Sequence, residues 1–267
     1  TERFTGSFNV KADITDWWWI GYRMGIDSYT TENSNRIGEG AAVKLLWQNG
    51  MLSENSLRFQ YLSTNLMTNF NKQFGDFNLN LLLGTATDDT KTSRNYRYGW
   101  NFVIPGFYSF GNIANEDKYF VTSQSRHRLV GVYGEFRADW KNTIFATVTG
   151  RNDWSSTLPK ANRSFFYPSV SGAIVFSQFL QDRELIDDSF LSFGKLRVSW
   201  AKVGKDAGAY VTNTYLGSAA TFLNDITGYG TSWERGNPIL EPEMTESTEI
   251  GLELRFFKNR LKVDYAY

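Results

Sequence analysis

Few residues in this sequence can carry acid–base or nucleophilic chemistry. His127 is the one histidine, and the 267 residues include no cysteine, which excludes thiol catalysis, cysteine–zinc sites and disulfide bonds. A hydrolase would need His127 to lie between a carboxylate and a nucleophile. His127 instead follows Ser125 and Arg126 at the start of a predicted strand, where histidine is more often a solvated surface residue. The sequence therefore predicts no catalytic residue and no enzyme.

Acidic pairs are the remaining candidates for metal binding or paired-carboxylate catalysis. The pairs are Asp88-Asp89, Glu116-Asp117 and Asp187-Asp188. All three fall in predicted connections and lack the spacing of a calcium loop, so we interpret them as solvated loop charge. Lys and Arg together number 28, as do Asp and Glu, and the net charge of 28 − 28 = 0 offers no basic excess for nucleic acid. We expect no metal, no cofactor and no nucleic-acid partner.

Ligand binding has more support, because Phe, Trp and Tyr make up 16% of the chain. Flat aromatic faces beside hydrogen-bonding groups suit sugar rings and peptide side chains. One aromatic stretch surrounds Pro105 and Gly106, a polar run lies where a strand meets a long loop, and a third candidate lies in a later loop. The predicted ligand-binding residues are Phe107, Tyr108, Arg151, Asn152, Asp153, Trp154 and Trp233. Loop packing and interfacial anchoring remain the alternative role for each of them.

The elements that would position these side chains are long strands, recognised by a period of two residues. Val130, Val132 and Phe136, for example, alternate with Tyr133 and Glu135. The ten predicted strands span 3–14, 17–30, 55–70, 74–88, 126–140, 143–153, 164–176, 190–204, 244–257 and 260–267. Most of them exceed the usual strand length of about 5 to 6 residues.

The connections between these strands alternate between short and long. Tight turns are predicted at 15–16, 71–73, 141–142 and 258–259, with a moderate, possibly helical link at 177–189. Long loops are predicted at 31–54, 89–125, 154–163 and 205–243. If every strand crosses a membrane, all short connections fall on one side and all long ones on the other. This is the layout of an outer-membrane β-barrel.

The two faces of the predicted strands differ in polarity. Val, Ile, Leu and Phe fill one face, whereas Glu135, Arg137, Arg197 and Glu253 belong to the other. In lipid each of these charges would cost about 2–4 kcal/mol at mid-depth, so the charged face is expected to line a wet interior. No apolar run approaches the roughly 18 to 20 residues that a membrane helix needs. The pattern therefore predicts strands that span the membrane.

Several segments, in order, resemble the SusC/RagA-type TonB-dependent outer-membrane transporters. The stretch from Gly236, GNPILEPEMTESTEIGLELRFFKNRLKVDYAY, is similar to a strand–turn–strand segment of that family. RLVGVYGEFRADWKNTIFATVTGRNDWSSTL from Arg128, YPSVSGAIVFSQFL from Tyr167 and LRVSWAKVGKDAGAY from Leu196 resemble consecutive barrel strands. The resemblance covers most of the chain from about Asn55 onward.

The resemblance implies an all-β fold, an antiparallel transmembrane β-barrel of which this chain supplies about ten of some twenty-two strands. Residues 1–267 then form a partial barrel, and the plug domain and the remaining strands lie outside this chain. An open sheet would leave two unpaired edges in lipid, so the other strands are needed as partners.

The resemblance also implies a function. A SusD-like surface lipoprotein would capture an oligosaccharide or an oligopeptide, and the TonB complex would supply the energy for import through the outer membrane. Three other classes remain open: a passive or structural barrel, an outer-membrane hydrolase that depends on His127, and a soluble glycan-binding β module that is extractable without detergent.

Overall fold

A computed structural model describes residues 1–41, 44–187, 189–222 and 226–267, with only the backbone described at 218–222 and 226–227. Its main element is one sheet of ten strands in the order β1-β2-β3-β4-β5-β6-β7-β8-β11-β12, and β9 and β10 form a separate two-stranded sheet. The strands are β1 (Glu2–Thr15), β2 (Trp18–Ile37), β3 (Met51–Phe74), β4 (Phe77–Trp100), β5 (Lys118–Trp140), β6 (Ile144–Ser155), β7 (Ser164–Ile174), β8 (Leu191–Lys205), β9 (Leu216–Phe222), β10 (Ile226–Thr231), β11 (Glu243–Phe256) and β12 (Leu261–Ala266).

The predicted fold class is confirmed, since ten strands pair with their neighbours in one sheet. The bounds of four strands were wrong. β2 continues to Ile37, β3 begins at Met51, β4 continues to Trp100 and β5 begins at Lys118, so each of the predicted loops at 31–54 and 89–125 is strand at both of its ends. These extensions carry polar side chains on both faces, so the sequence there has no apolar period of two.

Two connections also differ from prediction. The turn between β3 and β4 lies at Gly75 and Asp76 and not at 71–73, because Gly75 adopts the positive φ (57°) that a tight turn requires. The long connection after β8 contains the β9–β10 hairpin, which the sequence analysis missed. The turn at Lys141 and Asn142 is confirmed, with φ of 51° and 52°.

Three short 3-10 helices and one α-helix complete the described structure. The 3-10 helices are Leu45–Trp47, Phe110–Asn112 and Asn115–Asp117, and α1 (Phe176–Asp182) confirms the helical link between β7 and β8. Within the described ranges, none of the helices has the length and apolar character needed to cross a membrane.

Cross-strand register shows that the sheet has an apolar and a polar face. Phe136, Val148 and Val170 lie directly opposite one another across β5, β6 and β7, and they remain 43–48% exposed. The next row, Glu135, Thr149 and Ser169, lies on the other face. A continuous exposed apolar face of this extent marks a contact with lipid or protein. We call the apolar face the outer face and the polar face the inner face.

The chain divides into two compact units. Unit 1 comprises Thr1–Phe8, Met24–Ser63 and Asp88–Arg128, and unit 2 comprises Asn9–Arg23, Thr64–Thr87 and Leu129–Tyr267. Unit 1 contains a small core in which Leu52, Phe102 and Ile113 are 2–7% exposed. In both units, strand pairing rather than a large apolar core organises the described residues.

Candidate functional site

The inner face of unit 2 carries a polar cluster on three adjacent strands. Tyr133 on β5 lies opposite Arg151 on β6, and Arg151 lies opposite Tyr167 on β7. Asp153 follows Arg151 by two residues and therefore belongs to the same face. We call Tyr133, Arg151, Asp153 and Tyr167 the inner cluster.

Asp153 organises the inner cluster. Its side chain is buried, and its two oxygens accept hydrogen bonds from different groups: Arg151 Nε at 2.8 Å and the Tyr167 hydroxyl. The Arg151 guanidinium carbon lies 5.6 Å from the centroid of the Tyr133 ring, a cation–π distance. The Tyr133 hydroxyl donates to Asn65 Oδ1 at 2.8 Å. Through these two hydrogen bonds the buried carboxylate holds Arg151 and Tyr167 in position.

Two glycines make room for the inner cluster. A Cβ at Gly84 would overlap the Tyr133 ring, and one at Gly131 would overlap Asp153 and Arg151. The bulky side chains therefore lie flat over the backbone of the neighbouring strand, which only glycine permits.

Gly84→Val is expected to displace the Tyr133 ring and break its hydrogen bond to Asn65. Overpacking of this kind costs about 1–3 kcal/mol. The temperature at which the detergent-purified receptor unfolds measures the loss. Gly208→Val is the matched control, because a Cβ at Gly208 meets no atom within 4 Å; equal effects of the two changes would contradict the packing assignment.

Polar contacts connect the inner cluster to the long connection after β8. Ser155 is 1% exposed, and its hydroxyl donates to the carboxylate of Asp206 and contacts Thr157 Oγ1 at 2.8 Å. Asn162 Nδ2 donates to the backbone oxygens of Ile239 and Leu240 at 3.1 and 3.2 Å. The connection is thus held at its two ends by the end of β6 and by the loop between β6 and β7, the two strands that carry Arg151, Asp153 and Tyr167.

Further along the inner face of unit 2, charged side chains form ion pairs across β8, β11 and β12. Arg197 lies 3.4 Å from Glu249 and 3.2 Å from Asp264, and Glu253 lies 2.8 Å from Arg255 and 3.1 Å from Lys262. Partly exposed pairs of this type contribute about 0–1 kcal/mol each to stability. Their main consequence is a wet, charged wall that can bind polar groups of a solute.

Unit 1 carries a separate row of aromatic side chains on β4 and β5. The ring centroids of Tyr96 and Tyr98 are 5.5 Å apart, those of Tyr98 and Trp100 are 5.6 Å apart, and Tyr119 stacks on Tyr98 at 5.3 Å. Tyr98 is four residues on from Arg94, which bonds Asn55 on the inner face, and an even separation along the strand places Tyr98 on the same face. We call Tyr96, Tyr98, Trp100 and Tyr119 the aromatic row.

The structure divides the predicted run 151–154 between the two faces. Arg151 and Asp153 lie together in the inner cluster. Asn152 and Trp154 point to the opposite face, where Asn152 Nδ2 donates to Ser164 Oγ at 3.0 Å and Trp154 is exposed. A ligand on the inner face can therefore reach the first pair and not the second.

The other predicted ligand-binding residues do not belong to the inner cluster. Phe107 and Tyr108 belong to unit 1, both are exposed, and Tyr108 packs edge-on against Phe102 at 5.4 Å. Trp233 belongs to unit 2 and is fully exposed. Their roles in ligand binding stay predictions, and the sequence analysis did not select Tyr133, Tyr167 or the aromatic row.

One of the acidic pairs has different surroundings from those predicted. Asp88 and Asp89 lie within β4 and not in a connection, while Glu116 and Asp117 lie in a 3-10 helix of the connection before β5. Asp188 lies outside the described residues. Among the residues that the structure describes, no three His, Cys, Asp or Glu side chains lie close enough to hold a metal ion. His127 is the tenth residue of β5, which begins at Lys118 and not at 126.

Comparison with known proteins shows first the class of fold and then the family. The structure of the RagAB peptide transporter matches this fold with a TM-score of 0.83 at 18% identity, over 99% of this chain and 30% of that one. Two TonB-dependent receptors of Formosa agariphila are also similar. Receptor P26 is 26% identical over 284 residues (99% of this chain, 27% of the relative), and receptor P3 is 25% identical over 246 residues (90% and 24%). Together with the family model that covers residues 1–267, this fold makes the class an outer-membrane β-barrel.

The family follows from the match of residues 1–267 to the model for "TonB dependent receptor-like, beta-barrel". The chain belongs to this family, which confirms the resemblance seen in the sequence and places the protein in the outer membrane. The chain spans about a quarter of the length of the curated relatives that it matches.

Proposed function

We propose that this chain is part of the barrel wall of a TonB-dependent receptor that imports a nutrient across the outer membrane. The observation that supports the proposal best is the charged and aromatic inner face on strands of this family. A polar wall opposite a lipid-compatible face suits the passage of a hydrophilic solute.

The proposed cargo is an oligopeptide or an oligosaccharide. Ion pairs such as Arg197–Glu249 offer charges of both signs to a peptide, and the aromatic row offers ring faces to a sugar. The RagAB neighbour is a peptide transporter, which favours testing peptides first. We propose transport and not catalysis, because the buried Asp153 carboxylate is occupied by Arg151 and Tyr167.

The proposed partners are a SusD-like lipoprotein that closes over the loops, and the TonB complex, which would act through a part of the receptor outside this chain. We also propose that the plug domain and the remaining strands belong to the same receptor. Strands β1 and β12 end the ten-stranded sheet, and unpaired backbone groups at such edges are costly in lipid.

The full-length receptor, expressed with its lipoprotein, tests the proposal. Depletion of defined oligopeptide and oligosaccharide mixtures from the medium, followed by mass spectrometry, is expected to show uptake of one class that stops when TonB is deleted. Uptake that continues without TonB would indicate a passive barrel. Purification without detergent would indicate a soluble module, and cargo cleavage abolished by His127→Ala would indicate a hydrolase.

Arg197→Leu is expected to leave the receptor at its normal surface level but to slow uptake roughly tenfold, the effect of about one hydrogen bond to a charged group. Val198→Leu is the matched control, because Val198 is the neighbouring outer-face residue. Unchanged uptake in the Arg197→Leu receptor would argue against cargo contact at the ion pairs.

A further inference from the structure

A group of basic side chains lies on the outer face of unit 1. Closer to the tight turns, the same strands carry apolar side chains on this face. Arg126 and Arg128 both hydrogen-bond the Asp89 carboxylate, with Nε–Oδ distances of 2.9 and 3.0 Å. Both arginines share the parity of Val130, which on the same strand is the outward partner of Trp154. The arginine side chains therefore point outward, away from the polar wall.

Two more cations join them on β3 and β4. Inner-face hydrogen bonds from Tyr61 to Asp88 and from Arg94 to Asn55 show which residues of these strands share a face. Arg58 and Lys91 are each three residues from these inner-face positions, an odd number, so both lie on the outer face. Both side chains are exposed. Lys91 is two residues from Asp89 on β4 and therefore shares its face, where its ammonium adds to the charge of the two arginines.

The resulting group, which we call the outer basic patch, consists of Arg58, Lys91, Arg126, Arg128 and Asp89. Four cations and one carboxylate give a net charge of 4 − 1 = +3. The hydrogen bonds from Arg126 and Arg128 lower the pKa of Asp89 to about 2, against the opposing effect of desolvation. Asp89 is therefore ionised at any physiological pH, and the patch keeps this positive charge.

The height of the outer basic patch matches the headgroup region of the membrane. On β5 the outward residues from Trp140 to Val130 are apolar or glycine, and Arg128 comes next. Arg128 is 12 residues from Trp140, which corresponds to about 30 Å for a tilted strand, just beyond an apolar band of about 25 Å. On β3 the same change occurs between Leu62 and Arg58. The patch thus lies outside the hydrocarbon, where lipid phosphates are found.

We propose that the outer basic patch binds the phosphate groups of an anionic lipid headgroup in the outer leaflet. Guanidinium groups recognise phosphate through paired hydrogen bonds, and lysine adds a point charge. Each basic residue near a charged lipid surface strengthens binding about fivefold.

Native mass spectrometry of the full-length receptor in detergent tests the proposal, with diphosphorylated lipid A as the probe. Arg58→Gln/Lys91→Gln is expected to weaken lipid binding about 25-fold. The control is Arg23→Gln/Arg94→Gln, which likewise removes two positive charges but from the inner face, where both arginines donate to asparagine side chains. The control is expected to bind the lipid like the wild type. Equal losses in the two double variants, or no loss in the first, would overturn the proposal.

A third variant is expected to strengthen lipid A binding instead of weakening it. Asp89→Asn removes the carboxylate that competes for Arg126 and Arg128, and it is expected to strengthen lipid A binding about fivefold. Weaker binding in this variant would show that the arginines serve Asp89 and not the lipid. Inorganic phosphate is titrated in parallel. Tight binding of inorganic phosphate without binding of lipid A would assign the patch to a soluble anion and overturn the lipid assignment.

Discussion

Val198→Arg is expected to prevent stable assembly of the receptor in the outer membrane. Val198 is at the middle of β8, opposite Gly172 on β7 and Ile250 on β11, and its side chain is 44% exposed on the apolar outer face. An arginine near the bilayer midplane of a barrel costs about 2–4 kcal/mol, a large part of the 5–15 kcal/mol that holds a typical protein folded. The amount of folded receptor in outer-membrane fractions measures this effect.

Ser199→Arg is the matched control, because it introduces the same side chain one residue further along the same strand. Ser199 lies on the inner face, opposite Ser171 and Glu249, so the new guanidinium gains a carboxylate neighbour and water. We expect near-normal assembly of this variant. Normal assembly of Val198→Arg, or equal failure of both variants, would show that the two faces have been assigned wrongly.

Asp153→Leu is expected to lower the free energy of unfolding by about 3 kcal/mol, near the lower end of the cost of breaking a buried ion pair. The side chain of Asp153 is 3% exposed and that of Arg151 is 28% exposed, so some water reaches the guanidinium that loses its partner. The Tyr167 hydroxyl loses its acceptor at the same time. The temperature at which the purified receptor loses its compact, fast-migrating form on a detergent gel measures the change.

The double variant Asp153→Leu/Arg151→Leu separates the ion pair from simple loss of packing. If the cost comes from an unpaired guanidinium, removing Arg151 as well is expected to recover part of the lost stability. Asp153→Asn keeps one acceptor oxygen and is expected to fall between the wild type and Asp153→Leu. A double variant that is less stable than either single variant would point to packing instead.

The fold was largely predictable from the sequence, because apolar side chains on the outer face of β5 to β8 repeat every second residue. Above the apolar band, the sequence no longer alternates between apolar and polar residues, so these parts of the strands were not predicted. In β4, for example, Asp88 to Asn95 is polar on both faces, and these residues form a strand through backbone pairing that leaves no apolar pattern. The β9–β10 hairpin was missed for a related reason, since its two strands are only 7 and 6 residues long.

The candidate site was only partly predictable. Arg151 and Asp153 were predicted from residue type alone. They were predicted together with Asn152 and Trp154, although adjacent residues of a strand point to opposite faces. Counting from the confirmed turn at 141–142 would have found Tyr133, since Tyr133 and Arg151 are equally distant from residue 142. Tyr167 required the register of β6 with β7, which follows a connection of irregular length and is not fixed by a tight turn.

The division of residues 151–154 between two faces has a consequence for how this segment tolerates mutation. In a saturation mutagenesis experiment scored for uptake, positions 151 and 153 should accept few residues, because they share the buried ion pair. Positions 152 and 154 should accept many apolar residues and reject charged ones, because they face outward. Two interleaved substitution profiles are expected from four consecutive codons, one set by the buried ion pair and the other by the membrane.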